Sequence, residues 1–314
     1  MFPTKIFDER KTYSDGQGKA ITGAQNSETA MRLGGLDYKV ALSEMIVKDT
    51  GRIAPKRFAA YREDNGDFLG DVGNQYTIVQ NAEALEFTDN LFGMGARYTS
   101  AGYFGKGEKI WVEMIIPGEY TILGDKITPY VAFINSFDGG SAVKVCATPV
   151  RIWCSNTLNM AIKEAVRCFS FVHKGSISAK MDEARQVLGF ADAYMKALNK
   201  EIERLALIKV SPIQFEKIIL PTLIKLDEKD KNDTKKVEKV MQRRAELRFR
   251  YREAPDLQGY GNNGARVIHA VADYVDHKAP ERATPNWREK RFEKQVEKGN
   301  AMLDQARDLI LSIA

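Results

Sequence analysis

From Lys109 to Ile116 every second residue is aliphatic or methionine. Ile110, Val112, Met114 and Ile116 fall on one side, and Trp111, Glu113 and Ile115 on the other. That period of two is the mark of a strand. The stretch RYTSAGYF (97–104) precedes it across Gly105-Lys106-Gly107, which predicts a hairpin. A second hairpin is expected in ITPYVAFINSFDGGSAVKVCATPVRIWC (127–154), turning at Asp138-Gly139-Gly140. Pro149 cannot donate to a ladder, so it marks an edge or a bulge there. Asn65-Gly66 predicts a third hairpin between 57–62 and 68–72, because both residues tolerate positive φ. LDYKVALSEMIV (36–47) fits a short strand or a helix.

The period changes near residue 175. Met181, Ala184, Leu188, Ala191, Met195, Leu198, Ile202 and Leu205 follow one another at spacings of three and four. Such a seam predicts a long helix packed on a helix or a sheet. Further helices are expected over 81–95 with Asn81 as cap, from about Thr157 with Ser155 or Asn156 as cap, and over 211–221 between two prolines. A polar loop leading into a basic helix is expected over 225–253, and a buried helix over 264–278. The tail from Trp287 to Ala314 is amphipathic, with Phe292, Val296, Leu303, Leu309 and Ile310 as its apolar positions. Hairpins first and helices last predict an α+β fold: a curved antiparallel sheet backed by helices, then a helical C-terminal half. The expected divisions are a flexible segment 1–34, a strand-rich core 35–175, and a helical region 176–314 that packs on the core and carries a basic segment 235–253.

Composition excludes wholesale disorder, since 44% of residues are hydrophobic and 28% charged. A net charge of +5 does not repel anionic partners. The N-terminal stretch lacks the apolar core of a signal peptide, and no apolar run is long enough to cross a membrane. A soluble cytoplasmic protein, with no membrane partner, is therefore expected. Cys146, Cys154 and Cys168 contain no CxxC pair, which predicts free, buried thiols rather than a disulfide framework.

Catalytic chemistry has few players. Only His173, His269 and His277 are available as imidazoles, and no nucleophile elbow, phosphate loop or dinucleotide fingerprint is present. The cysteines and His173 fit no standard zinc spacing, and Asp138-Gly139-Gly140 is explained as a turn. No enzyme, no cofactor and no metal site are expected.

Cations interleaved with rings are the other pattern. The two hairpins carry Arg97, Tyr98, Tyr103, Phe104, Lys106, Lys109, Trp111, Lys144, Arg151 and Trp153. A single-strand site uses such a mixture, cations following phosphates while rings stack on bases. Aromatic residues are also ordinary in strands, where half of them face a core. The run RRAELRFRYRE adds Arg243, Arg244, Arg248, Arg250 and Arg252, with a solvated helix paired to Glu246 and Glu253 as the plainer alternative.

The segments QYTIVQN (75–81), YTSAGYFGKGEKIWVEMIIPG (98–118), NSFDGGSAVKVCATPVRIWCSNTLNMA (135–161) and AVADYVDH (270–277) carry a family resemblance. They resemble a family catalogued as domain of unknown function 932, also called phage/plasmid-like protein, over roughly residues 35–280. That resemblance implies a mobile-element origin in a bacterium or its phage. The order of hairpin, hairpin and helix is also similar to single-strand annealing recombinases of the RecT/Red-beta type. This second resemblance implies side-by-side assembly into rings or filaments, with DNA in a basic groove on or near Lys144, Arg151, Trp153 and Asn156. The expected function is thus single-stranded DNA binding and annealing in recombination by a homo-oligomer, with a phage nuclease or a host protein as further partner. The alternative is a phage protein that binds a host protein, in counter-defence or to modulate replication, without nucleic-acid chemistry.

Overall fold

The segment with an apolar residue at every second position becomes β6 (Lys109–Ile115), mid-sheet between β5 (Arg97–Phe104) and β8 (Asp125–Ser136). The computed structural model describes residues 18–139, 143–151, 158–162, 165–170, 177–277, 284, 287–292, 296–297 and 299–314. Beyond β8 come β9 (Lys144–Arg151) and β10 (Cys168–Ser170), and beyond β5 lies β1 (Lys19–Ala20). β7 (Tyr120–Ile122) pairs with the start of β8, which makes the sheet seven-stranded, antiparallel and open. Gly105 and Gly107 turn the β5–β6 hairpin at φ 59° and 114°. Pro149 lies in β9 opposite Pro129, past the three residues that pair with β10, so it sits on an edge as expected.

Both faces of this sheet are covered. Ile110, Val112, Met114, Val131, Phe133, Val145 and Ala147 join the main core on one side. On the other, Phe104, Trp111, Ala132, Ile134 and Cys146 form a smaller cluster with Phe292 and Val296. α4 (Ile177–Ala206) backs the main core, and its buried Ala184, Ala191, Met195, Leu198, Ile202 and Leu205 are the seam residues.

A second sheet, β2 (Val40–Val47), β3 (Arg52–Arg62) and β4 (Phe68–Gly73), forms an arm. Its base is sealed by Val40, Ala60, Leu69 and Val72, whereas Ile46, Val47 and Ile53 near its tip are exposed. Gly66 makes the β3–β4 turn at φ 75°. Glu44 pairs with Phe58 but Ile46 with Ile53, so β3 bulges over 54–57, where Lys56 has φ 60°.

The expected fold class holds, and several local expectations do not. Residues 18–34, placed in a flexible segment, form β1 and the helix α1 (Ser27–Gly34), capped by Asn26. The helix expected over 81–95 is two, α2 (Asn81–Leu85) and α3 (Thr88–Gly93). Gln80 is its cap, and Asn81 instead donates to the Leu36 carbonyl at 3.0 Å. No helix runs through 158–162. There the Leu158 N–H bonds Pro149, the Ala161 N–H bonds Asp304, and the Tyr194 hydroxyl donates to Met160. Tertiary partners have taken the groups a helix would use. Pro221 does not end the helix after α5 (Pro212–Gln214): a π-helical turn, Phe215–Ile219, leads into α6 (Leu220–Leu223), which contains it.

The remaining helices are α7 (Thr234–Glu253), α8 (Gly264–His277), α9 (Trp287–Phe292) and α10 (Ala301–Ser312). The free-thiol expectation fails for two cysteines. Cys146 and Cys168 stand opposite each other on β9 and β10 and are joined by a disulfide. Cys154 lies outside the described residues, as does His173. Among the described residues, no helix is long and apolar enough to cross a membrane.

Candidate nucleic-acid interface

Alternation along β6 and β9 sends Lys109 and Lys144 to the same sheet face, on either side of β8. Lys109 pairs with Ser136 of β8, and Lys144 with Ile134. The two ammonium groups meet on one carboxylate. Lys109 Nζ lies 3.0 Å from Oε1 of Glu297, and Lys144 Nζ lies 3.1 Å from Oε2. Glu289 adds a second carboxylate 3.6 Å from Lys109. Lys109, almost removed from water, needs such a partner, because an unpaired buried charge is strongly unfavourable, whereas Lys144 keeps part of its side chain in solvent.

Rings line the same face. The Phe292 ring is 5.3 Å from Phe104 and 5.7 Å from Trp111, tilted against both. Arg167 fixes this C-terminal stretch by donating to the carbonyls of Val296 and Glu297. Burial pushes the Arg167 guanidinium below its ordinary value. The face thus combines one cation from each hairpin with two rings of the β5–β6 hairpin, and the chain's own Phe292 and Glu297 occupy it.

Other members of the expected set are scattered. Tyr98 and Phe104 are buried, as are Lys109 and Arg250, so none offers its side chain to a ligand at the surface of this conformation. Arg97 turns back onto Phe92, 4.6 Å above its ring, and donates to the Ala96 and Phe92 carbonyls. Tyr103 is exposed at the end of β5. Beside it Arg62 sits 3.8 Å over the Tyr38 ring and 5.9 Å from that of Tyr103, held by both oxygens of Asp64. Lys106 pairs with Asp67 at 2.7 Å. Arg151 pairs with Ile127 along the backbone. Its side chain lies outside the described residues, together with Trp153 and Asn156.

The arginines of α7 serve the fold. Arg248 and Arg252 both bond Glu216 at 2.8 Å, and Arg244 donates to the Ile224 carbonyl at 2.9 Å. Arg250 faces Asp273 at 3.8 Å, and Arg243 reaches the Tyr274 hydroxyl at 3.4 Å. These contacts run to α8, to the π-helical turn before α6 and to Ile224 just after it.

Asp125 accepts from the Tyr260 hydroxyl, and Asp138 from Ser136. Asp125 lines a shallow cleft of about 430 Å³ with Asp256, Tyr260 and Asn263. Among the described residues, no group of three or more His, Cys, Asp or Glu side chains is placed to hold a metal ion.

Sequence reasoning missed Arg62 and Glu297. Phe292 and Val296 showed as apolar positions of the tail, but no local pattern ties Glu297 to lysines far upstream.

No curated protein and no solved structure matches the chain. The family model described as Domain of unknown function (DUF932) matches residues 68–303, and the chain belongs to that family.

Proposed function

We propose that the chain binds single-stranded DNA without sequence preference and promotes strand annealing, as a protein of a phage or plasmid. One observation carries this reading: Lys109 and Lys144, from separate hairpins, converge on a single anion beside Phe104 and Trp111. A carboxylate and a ring on this face stand in the chemical roles of a nucleotide's phosphate and base. Strand entry then requires Phe292 and Glu297 to leave this face. Tyr103 pairs with Ile110 and so lies on the other face of β5, where it stands beside Arg62 of β3 and apart from this site. Assembly of several copies into a ring or filament multiplies the few phosphate contacts that one subunit offers.

Fluorescence anisotropy with a labelled oligonucleotide tests the reading. Affinity should fall with salt, by about 0.7 in log K per log salt for each phosphate neutralised. Lys144→Ala, at a half-buried position, should weaken binding at least threefold. Absence of binding at low salt removes the proposal, and equal affinity for duplex removes its single-strand part.

A second reading, docking on a host protein, draws on the exposed Leu42, Ile46, Val47, Ile53 and Phe68 of the arm. Capture of one host protein that persists at high salt, without oligonucleotide binding, would favour it.

A further inference from the structure

The free edge of the arm is self-complementary. β2 is an outer strand, with β3 on one side and no strand on the other among the described residues. At its base, Val40 turns away from β3. Its N–H bonds Gln80 Oε1 at 3.1 Å, and its carbonyl accepts from Gln80 Nε2 at 2.8 Å. The Lys39 carbonyl faces inward to the Glu63 N–H at 3.0 Å. Alternation therefore points the main-chain groups of Leu42 and Glu44 outward.

At the tip, the Val47 carbonyl accepts from Thr50 and Gly51 within the turn. Val47 is thereby inward and Ile46 outward, and Lys48 opens the turn that follows β2. The outer half of β2 presents the main chain of Glu44 and Ile46, with Gln80 too far down the strand to cap it. Ile46 is 64% exposed and pairs across the arm with Ile53, which is 54% exposed.

We propose that two copies of the chain join through this edge, β2 against β2, antiparallel about a two-fold axis at Ile46. An axis normal to the sheet keeps faces matched, so only registers whose paired residue numbers sum to an even value are allowed. Centring on Glu44 opposes two glutamates. Centring on Met45 sets Glu44 against Ile46. Centring on Ile46 sets Glu44 against Lys48 of the second copy, twice, and Met45 against Val47. The same register brings both Ile46–Ile53 pairs together on one face. Opposite charges directly across a strand pair stabilise it, and like charges oppose it. The paired stretch is short, so the contact is weak and dimerisation depends on protein concentration. Such an isologous contact closes at two copies, so a ring or filament would use a different surface.

Sedimentation equilibrium of the full chain, at concentrations from about 1 to 100 µM, should show a monomer–dimer equilibrium. Glu44→Lys and Lys48→Glu, each placing like charges opposite one another twice, should each weaken dimerisation by about tenfold. The double variant E44K/K48E should restore it to within about threefold of the original. Glu44 and Lys48 are exposed, so circular dichroism and the melting midpoint should stay unchanged in all three. A chain that remains monomeric throughout overturns the proposal. So does a dimer indifferent to E44K, or single-variant losses that the double variant does not repair.

Discussion

Lys109 meets its carboxylate across 188 residues of chain, with its ammonium nitrogen 3.0 Å from Glu297 Oε1. Both side chains are almost removed from water, at 7% and 4% exposure. Removing one partner of such a pair leaves the other charge desolvated. Glu297→Ala should therefore destabilise the protein by about 3 kcal/mol in urea unfolding, with Glu297→Gln less harmful because its amide oxygen still accepts. Lys144 is 31% exposed and can turn to solvent, so Lys144→Ala should cost under about 1 kcal/mol. Equal losses for E297A and K144A would show that Lys109 does not depend on this carboxylate.

Gly264 stands where three helices meet. A Cβ there would lie 2.6 Å from Ile310 Cγ2 on α10 and 2.7 Å from the Leu205 carbonyl on α4. Alanine is the better helix former by about 1 kcal/mol. The contact with a backbone oxygen outweighs that preference, because α4 cannot shift as a side-chain tip can. Gly264→Ala should lower stability by about 1–3 kcal/mol, read as a lower melting midpoint. A stabilised G264A would mean that the junction gives way freely.

Local signals and distant ones divided here as their physics requires. The β5–β6 and β8–β9 hairpins and the α4 seam are legible because alternation, turn glycines and three-four spacing all act within a few residues. β7 is not, since its two-residue turn to β8 places Leu123 at φ 51°, beside Gly124 at 88°, and leucine carries no turn signal. The spacing of α7 says which arginines share a face. It does not say that Glu216 and Asp273 are folded against them. The candidate site divides likewise: both strands that bring its lysines were legible, and the carboxylate that joins them was not.

Glu216 ties the π-helical turn to α7. The Arg248 hydrogen bond, joined by Arg252, holds its carboxyl below the usual carboxylate value despite an opposing effect of burial. A depressed folded pKa stabilises the protein above the unfolded value and is lost as pH falls through the folded one. Wild type should therefore lose more stability than Glu216→Gln on going from about pH 6 to about pH 3. Urea midpoints across that range test it, and parallel curves for the two proteins would assign Glu216 no share in acid sensitivity.

The disulfide makes the last prediction. Cys146 and Cys168 close a loop with a sequence separation of 22, which corresponds to about 3 kcal/mol of chain entropy removed from the unfolded state. The bond also bears on the candidate site. Next to Cys168, the Arg167 carbonyl accepts from the Ala147 N–H at 2.8 Å, and its guanidinium donates to the carbonyls of Val296 and Glu297. Reduction should therefore lower the melting midpoint and speed hydrogen exchange at Val296 and Glu297 more than in α4. Of the three cysteines, one thiol should react in denatured, unreduced protein and three after reduction. Three reactive thiols before reduction would show that the pair does not form. With the pair formed, an unchanged exchange rate at Val296 after reduction would show that β10 anchors the C-terminal stretch without it.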